Sequence, residues 1–84
     1  MRIRIRNLPR SATIGDLERL LAPWNPRDIF RIADRSGTAA LCYATVSDEL
    51  AAECVTALDH VEFLGRRLSA RIVGTPRWEL RHQF

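Results

Sequence analysis

Lysine is missing from this 84-residue chain, whose 13 basic residues are all arginine. A genome rich in G and C accounts for such a bias through its codons. A functional use accounts for it equally well, since guanidinium groups bind phosphates bidentately and stack on flat rings. With 10 acidic residues the net charge is only +3. The positions of the arginines therefore carry more information than their sum. Cysteine is scarce: Cys42 and Cys54 are the two present, each inside an apolar segment. That excludes a secreted disulfide scaffold. No histidine or second cysteine stands near either at ligand spacing, so no metal site and no cofactor is expected. Both thiols read as small buried hydrophobes in a reducing compartment. A long apolar run is also missing. The longest uncharged stretch is the twelve residues Ser36 to Ser47, whereas a membrane-spanning helix needs about 20 apolar residues. Arg2, Arg4 and Arg6 are followed by no apolar block or small-residue cleavage site, so no secretory signal is expected.

What is present is 46% apolar and 27% charged, a globular composition. A chain of 9.6 kDa buries roughly 60–65% of its unfolded surface. That suffices for one domain with a modest core and excludes a two-lobed enzyme with a deep cleft. No repeat, low-complexity segment or linker occurs before about residue 74.

The periodicities assign the elements. Residues 2–6, Arg-Ile-Arg-Ile-Arg, alternate strictly, giving a strand with Ile3 and Ile5 inward. Asn7-Leu8-Pro9 is expected to end it. Residues 14–22 read as a helix capped by Thr13, with Asp16 in its first turn and Leu17, Leu20, Leu21 and Trp24 at helical spacing. Residues 28–34 read as a second strand with Phe30 and Ile32 on the inner face and Arg31 and Ala33 on the outer. The turn Asp34-Arg35-Ser36-Gly37 leads to a third strand at about 39–46. There Cys42, Ala44 and Val46 point inward, and Leu41, Tyr43 and Thr45 outward. Ser47 or Asp48 caps a second helix at about 49–59, with Leu50, Ala51, Cys54, Val55 and Leu58 as its stripe. A short extended piece at 61–63 and the turn Leu64-Gly65-Arg66 precede a last strand at 67–73. Leu68, Ala70 and Ile72 face inward there, and Arg67, Ser69, Arg71 and Val73 outward.

The order βαββαβ is the split βαβ, ferredoxin-like α+β pattern: a four-stranded antiparallel sheet with two helices on one face. The fold hosts unrelated functions, so function rests on the open face. Arg2, Arg4, Arg6, Arg31, Arg67 and Arg71 are expected there, and none of the acidic residues. Like charges directly opposite on a sheet are unfavourable, so a face of this kind suits an anion. Tyr43 and the flat guanidinium groups suit stacking of unpaired bases.

Residues 1–73 resemble the RNA recognition motif family. Ile3-Arg4-Ile5-Arg6-Asn7-Leu8-Pro9 is similar to its first-strand hexapeptide. Asp16-Leu17 with Leu20-Leu21-Ala22-Pro23-Trp24 resembles its first helix. Leu41-Cys42-Tyr43-Ala44-Thr45-Val46 falls at the third-strand octapeptide. Ala51, Cys54, Val55 and Leu58 match its second helix, and Leu64-Gly65-Arg66-Arg67-Leu68 with Ala70 its last strand. The resemblance implies binding of single-stranded RNA on the sheet face. The family's pattern is only partly kept. Of its three ring positions, two hold Arg4 and Leu41, and only Tyr43 keeps a ring. Ala40 and Cys42 replace the octapeptide glycines. Binding is therefore expected to be driven by charge, with weak sequence selectivity, through Arg2, Arg4, Arg6, Arg31, Leu41, Tyr43, Arg67 and Arg71. Single-stranded DNA presents the same bases and phosphates.

Residues 74–84 form a tail. Thr75 and Pro76 suit the start of a short helix, and Trp78 is the large ring it carries. Trp78 packs on the domain edge, lids the sheet, supplies a missing stacking ring or makes a homodimer contact. The competing function is a protein-interaction module of the same fold, which the missing rings favour and the arginine face opposes. Peptide-binding members carry Arg-x-Phe where this chain has Arg66-Arg67-Leu68. No catalytic residue is expected: the loop Asn7-Leu8-Pro9-Arg10-Ser11 lacks the glycine-rich cradle of an acylphosphatase, and no nucleophile meets a base. The starting methionine is expected to mark a small bacterial, cytoplasmic protein.

Overall fold

The computed structural model describes residues 1–33, 35 and 37–73. Its elements are β1 (Arg2–Pro9), α1 (Ile14–Leu21), a 3-10 turn (Ala22–Trp24), β2 (Arg27–Ala33), β3 (Ala39–Thr45), α2 (Asp48–Leu58), β4 (Glu62–Phe63), β5 (Arg66–Arg67) and β6 (Ser69–Ile72). The main sheet is antiparallel with strand order β2-β3-β1-β6. This is the expected two-helix, four-stranded architecture. No described helix is long and apolar enough to cross a membrane.

The core lies between the sheet and the helices. Ile3 and Ile5 of β1 are fully buried, as are Leu17 and Leu21 of α1, Cys42 of β3 and Cys54 of α2. Val46 and Leu68 are buried with them, and Leu20, Trp24, Ile29, Val55 and Phe63 pack around the rim. Alternation in β1 turns every second residue from this core. The strand does not end at Asn7. Asn7 adopts a left-handed φ of 67°, and its side-chain amide donates to the Arg67 carbonyl at 2.8 Å. The ladder to β3 shifts register there, between Ile5 and Leu8. The bulge reverses the alternation, so Leu8 is buried and pairing continues to Pro9.

Helix α1 starts as expected. Thr13 and Asp16 form a capping box: the Asp16 amide donates to the Thr13 hydroxyl at 3.1 Å, and the Thr13 amide to the Asp16 carboxylate at 2.9 Å. These bonds from Thr13 hold the Asp16 carboxyl below its usual range. At α2 the cap residue is Ser47, without a side-chain bond. The Asp48 carboxylate instead accepts from the Met1 amino group at 2.9 Å. At the far end of α2, Asp59 accepts from the Ala70 amide at 3.1 Å and ties the helix to β6.

The last strand is broken where one run over 67–73 was expected. Leu68 exchanges backbone bonds with Val61 and His60, both at 2.8 Å. Residues 62–67 consequently close a separate hairpin, β4–β5. Pairing with β1 begins only at Ser69. Ile72, expected inside, is 41% exposed, because it ends an outer strand that has a neighbour on one side only.

Burial pushes the Cys42 thiol up to about 12 and, with Glu53 nearby, Cys54 up to about 11. A thiol-specific reagent at neutral pH should therefore spare both cysteines in the native protein and react with both in denaturant. Rapid reaction of one equivalent in the native state would contradict this burial. The β4–β5 turn supplies a second test. Leu64 (φ 50°) and Gly65 (φ 86°) both have positive φ, and Leu64 is 59% exposed. Asparagine adopts this conformation at lower cost than leucine. Leu64→Asn should stabilise the fold by about 1 kcal/mol, read as a higher denaturant midpoint at unchanged slope.

Candidate nucleic-acid interface

The face of the main sheet away from the helices is assembled by register. Arg4 of β1 lies opposite Tyr43 of β3 on one side and Arg71 of β6 on the other. Tyr43 in turn lies opposite Phe30 of β2. Directly opposite residues share a face. One row therefore crosses the sheet as Phe30, Tyr43, Arg4 and Arg71. Toward one end lie Arg2, Thr45 and Arg27, and toward the other Arg6 and Ser69, with Ile32 opposite Leu41. The Phe30 and Tyr43 rings stack at a centroid distance of 5.3 Å with 24° between their planes. The Arg2 guanidinium stands 5.7 Å from the Phe30 centroid, within cation–π range.

Arg2, Arg4, Arg6, Leu41, Tyr43 and Arg71 thus share the face on which the sequence placed them. Arg31 and Arg67 do not. The partner of Arg31 is the buried Cys42, so Arg31 lies on the helical side of the outer strand. Its guanidinium donates to the Arg10 carbonyl there. The expected facing of β2 is inverted: Phe30 and Ile32 are 40% and 43% exposed on the open face, and Ile29 packs toward the core. The cause is a second bulge. Asp28 takes a φ of 52°, and the ladder to β3 shifts between Arg27 and Phe30. Arg67 lies in the β4–β5 hairpin opposite Glu62, outside the main sheet. Trp78 and the tail lie outside the described residues.

Phe30 is the site residue that the sequence reading missed. Its signal lay in the run Ile29-Phe30-Arg31-Ile32, where apolar residues fall on both parities. An edge strand tolerates this pattern and periodicity does not resolve it. A preference for aromatic cross-strand pairs, applied to Phe30 and Tyr43, would have done so.

The electrostatics of the face are one-sided. Among the described residues it carries five guanidinium groups, those of Arg2, Arg4, Arg6, Arg27 and Arg71, and no carboxylate. Arg4 and Arg71 are directly opposite one another. None of Arg2, Arg4, Arg6 and Arg71 makes a salt bridge to a described acid, and the Nε atom of Arg4 is buried without a hydrogen-bond partner among the described residues. Glu18 and Asp28 instead line a hollow between α1 and β2 on the helical side. Among the described residues no three potential ligands cluster to hold a metal. The arrangement offers bidentate donors for anions beside two flat rings.

No family model and no curated protein matches the chain. Solved structures do. RNA binding protein PG1 is 24% identical, with 92% of this chain and 99% of that one aligned at a TM-score of 0.75. The RRM of Rna15, solved with bound RNA (GU), is 13% identical over 98% and 95% of the chains at 0.72. The RRM domain of S. pombe Puf1 is 16% identical over 89% and 100% at 0.71. The chain has the fold of the RNA recognition motif.

The ring pair should be measurable in the fold itself. A double-mutant cycle of Phe30→Leu and Tyr43→Leu should give a coupling of about 0.5–1.5 kcal/mol in unfolding free energy. Additive effects would show that the rings do not interact.

Proposed function

We propose that the open sheet face binds single-stranded RNA, driven by charge and stacking with little sequence selectivity. The observation that carries this reading is the row Phe30–Tyr43–Arg4–Arg71, two stacked rings continued by two guanidinium groups that meet no described acid. Phosphates offer the bidentate acceptors that guanidinium forks fit. Base–aromatic stacking contributes about 1–3 kcal/mol per base and serves every base alike, because each has a π-face. Arg2, Arg4, Arg6 and Arg71 hold phosphates in this reading, and Tyr43 stacks a base. Low selectivity follows, since neither contact reads a base edge. Single-stranded DNA meets the same groups, and only contacts to the 2′-hydroxyl would separate it from RNA. The likeness in fold to a domain solved with RNA supports the assignment. Binding rather than catalysis is the role in this reading, and the burial and raised pKa values of both thiols, which leave neither poised as a nucleophile, support it. Two buried free thiols also suit a reducing cytoplasm.

An amide NMR titration with short random single-stranded RNA at several salt concentrations tests the reading. Shifts should centre on Arg4, Tyr43 and Arg71. Four phosphate contacts at ~0.7 each predict a slope of log affinity against log salt of about −3. Arg4→Ala combined with Tyr43→Ala should abolish measurable binding. A slope near zero, or unchanged affinity in that double variant, would refute the mechanism.

A further inference from the structure

The binding face is divided lengthwise. Strands β1 and β6 contribute Arg2, Arg4, Arg6 and Arg71, whereas β2 and β3 contribute Phe30, Ile32, Leu41 and Tyr43. Apart from Arg27 at one end of β2, opposite Thr45, guanidinium groups and apolar groups occupy opposite halves. Outward residues along one strand repeat at about 6.8 Å, twice the rise per residue. Arg2, Arg4 and Arg6 therefore stand in a row at intervals that successive phosphates of an extended single strand can match.

The apolar half is costly to leave in water. β2 is an outer strand, the place where exposed apolar side chains invite edge-to-edge association. Yet Phe30 and Ile32 are 40% and 43% exposed there. The Phe30 ring meets Tyr43 and the Arg2 guanidinium. A purely apolar partner would leave the adjoining guanidinium groups without counter-charges. A simple anion would leave the rings unused. A ligand with a charged backbone and flat apolar branches satisfies both halves at once.

Resting on the reading of this face as a single-strand binder, we propose that the nucleic acid runs along β1. Its phosphates lie on the Arg2, Arg4 and Arg6 row and on Arg71. Its bases turn across β3 toward β2, and Phe30 is a stacking residue for one base at the outer edge of the sheet. Arg2 occupies the Phe30 ring in the free protein. Entry of a base displaces that guanidinium and releases it to a phosphate.

The test uses the full chain with a fluorescently labelled mixed-sequence RNA octamer and with the same ribose-phosphate chain lacking its bases. Affinity is followed by anisotropy over a range of salt. The native protein should bind the baseless chain at least tenfold more weakly, at an order of magnitude set by base stacking. Phe30→Leu keeps the apolar bulk and removes the ring. It should weaken octamer binding about tenfold at every salt concentration, leave the salt slope unchanged, and leave binding of the baseless chain unchanged. Phe30→Tyr should bind as the native protein does. Arg71→Gln should instead reduce the salt slope by about 0.7. Native binding that is indifferent to the bases overturns the proposal. So does Phe30→Leu with native affinity, which would leave Phe30 as a partner of Tyr43 in the fold or a contact for another protein. A native protein that binds neither oligomer refutes RNA binding itself. A native protein that binds the octamer while Phe30→Leu is silent refutes only the assignment of Phe30 and the path over β2.

Discussion

Everything on the open face depends on the burial of Ile3 and Ile5 in the central strand. β1 pairs with β3 on one side and β6 on the other, and its two isoleucines are shut off from water. A slip of one residue would exchange them for arginines in the core. Burying two aliphatic side chains is favourable by roughly 1.5–3 kcal/mol each, whereas a buried unpaired guanidinium is strongly unfavourable. The difference locks the parity of β1. It also compels Arg2, Arg4 and Arg6 to project together from the other side, although like charges gain nothing from being neighbours.

The repulsion on that face is offset by devices placed elsewhere. The capping box of Thr13 and Asp16, the Asp59 bond to β6 and the tight core are all remote from the arginines. Acidic side chains that would have neutralised the face occur instead on the helical side, as Glu18 and Asp28 do. In the proposed reading this separation is local destabilisation tolerated for binding, with stability built at a distance.

The parts legible in the sequence are those buried on one side only. β1, β3 and both helices show clean periodicities because each has one wet and one dry face, and their inward residues are the buried ones. The β2 strand was misread because it lies at the sheet margin, where Ile29 packs on the core rim and Phe30 and Ile32 lie on the open face. Hydrophobicity alone assigns such a strand to the wrong side. Two backbone irregularities, at Asn7 and Asp28, were equally invisible. Each inserts a residue without a change in composition, and only pairing with a neighbouring strand reveals it. The consequence for the site was specific: Arg31 was gained wrongly, and Phe30 was lost.

The bulge at Asn7 acts as a ruler. Before it, even-numbered residues of β1 point outward; after it Leu8, also even-numbered, is buried. The row of outward arginines must stop at Arg6, whatever side chains follow. The reach of the surface along this strand is therefore written in the backbone, and substitutions beyond Arg6 would disturb the core before they could extend the grip. A chain with a longer outward row would have to relocate the bulge itself, a change of strand geometry and not of charge.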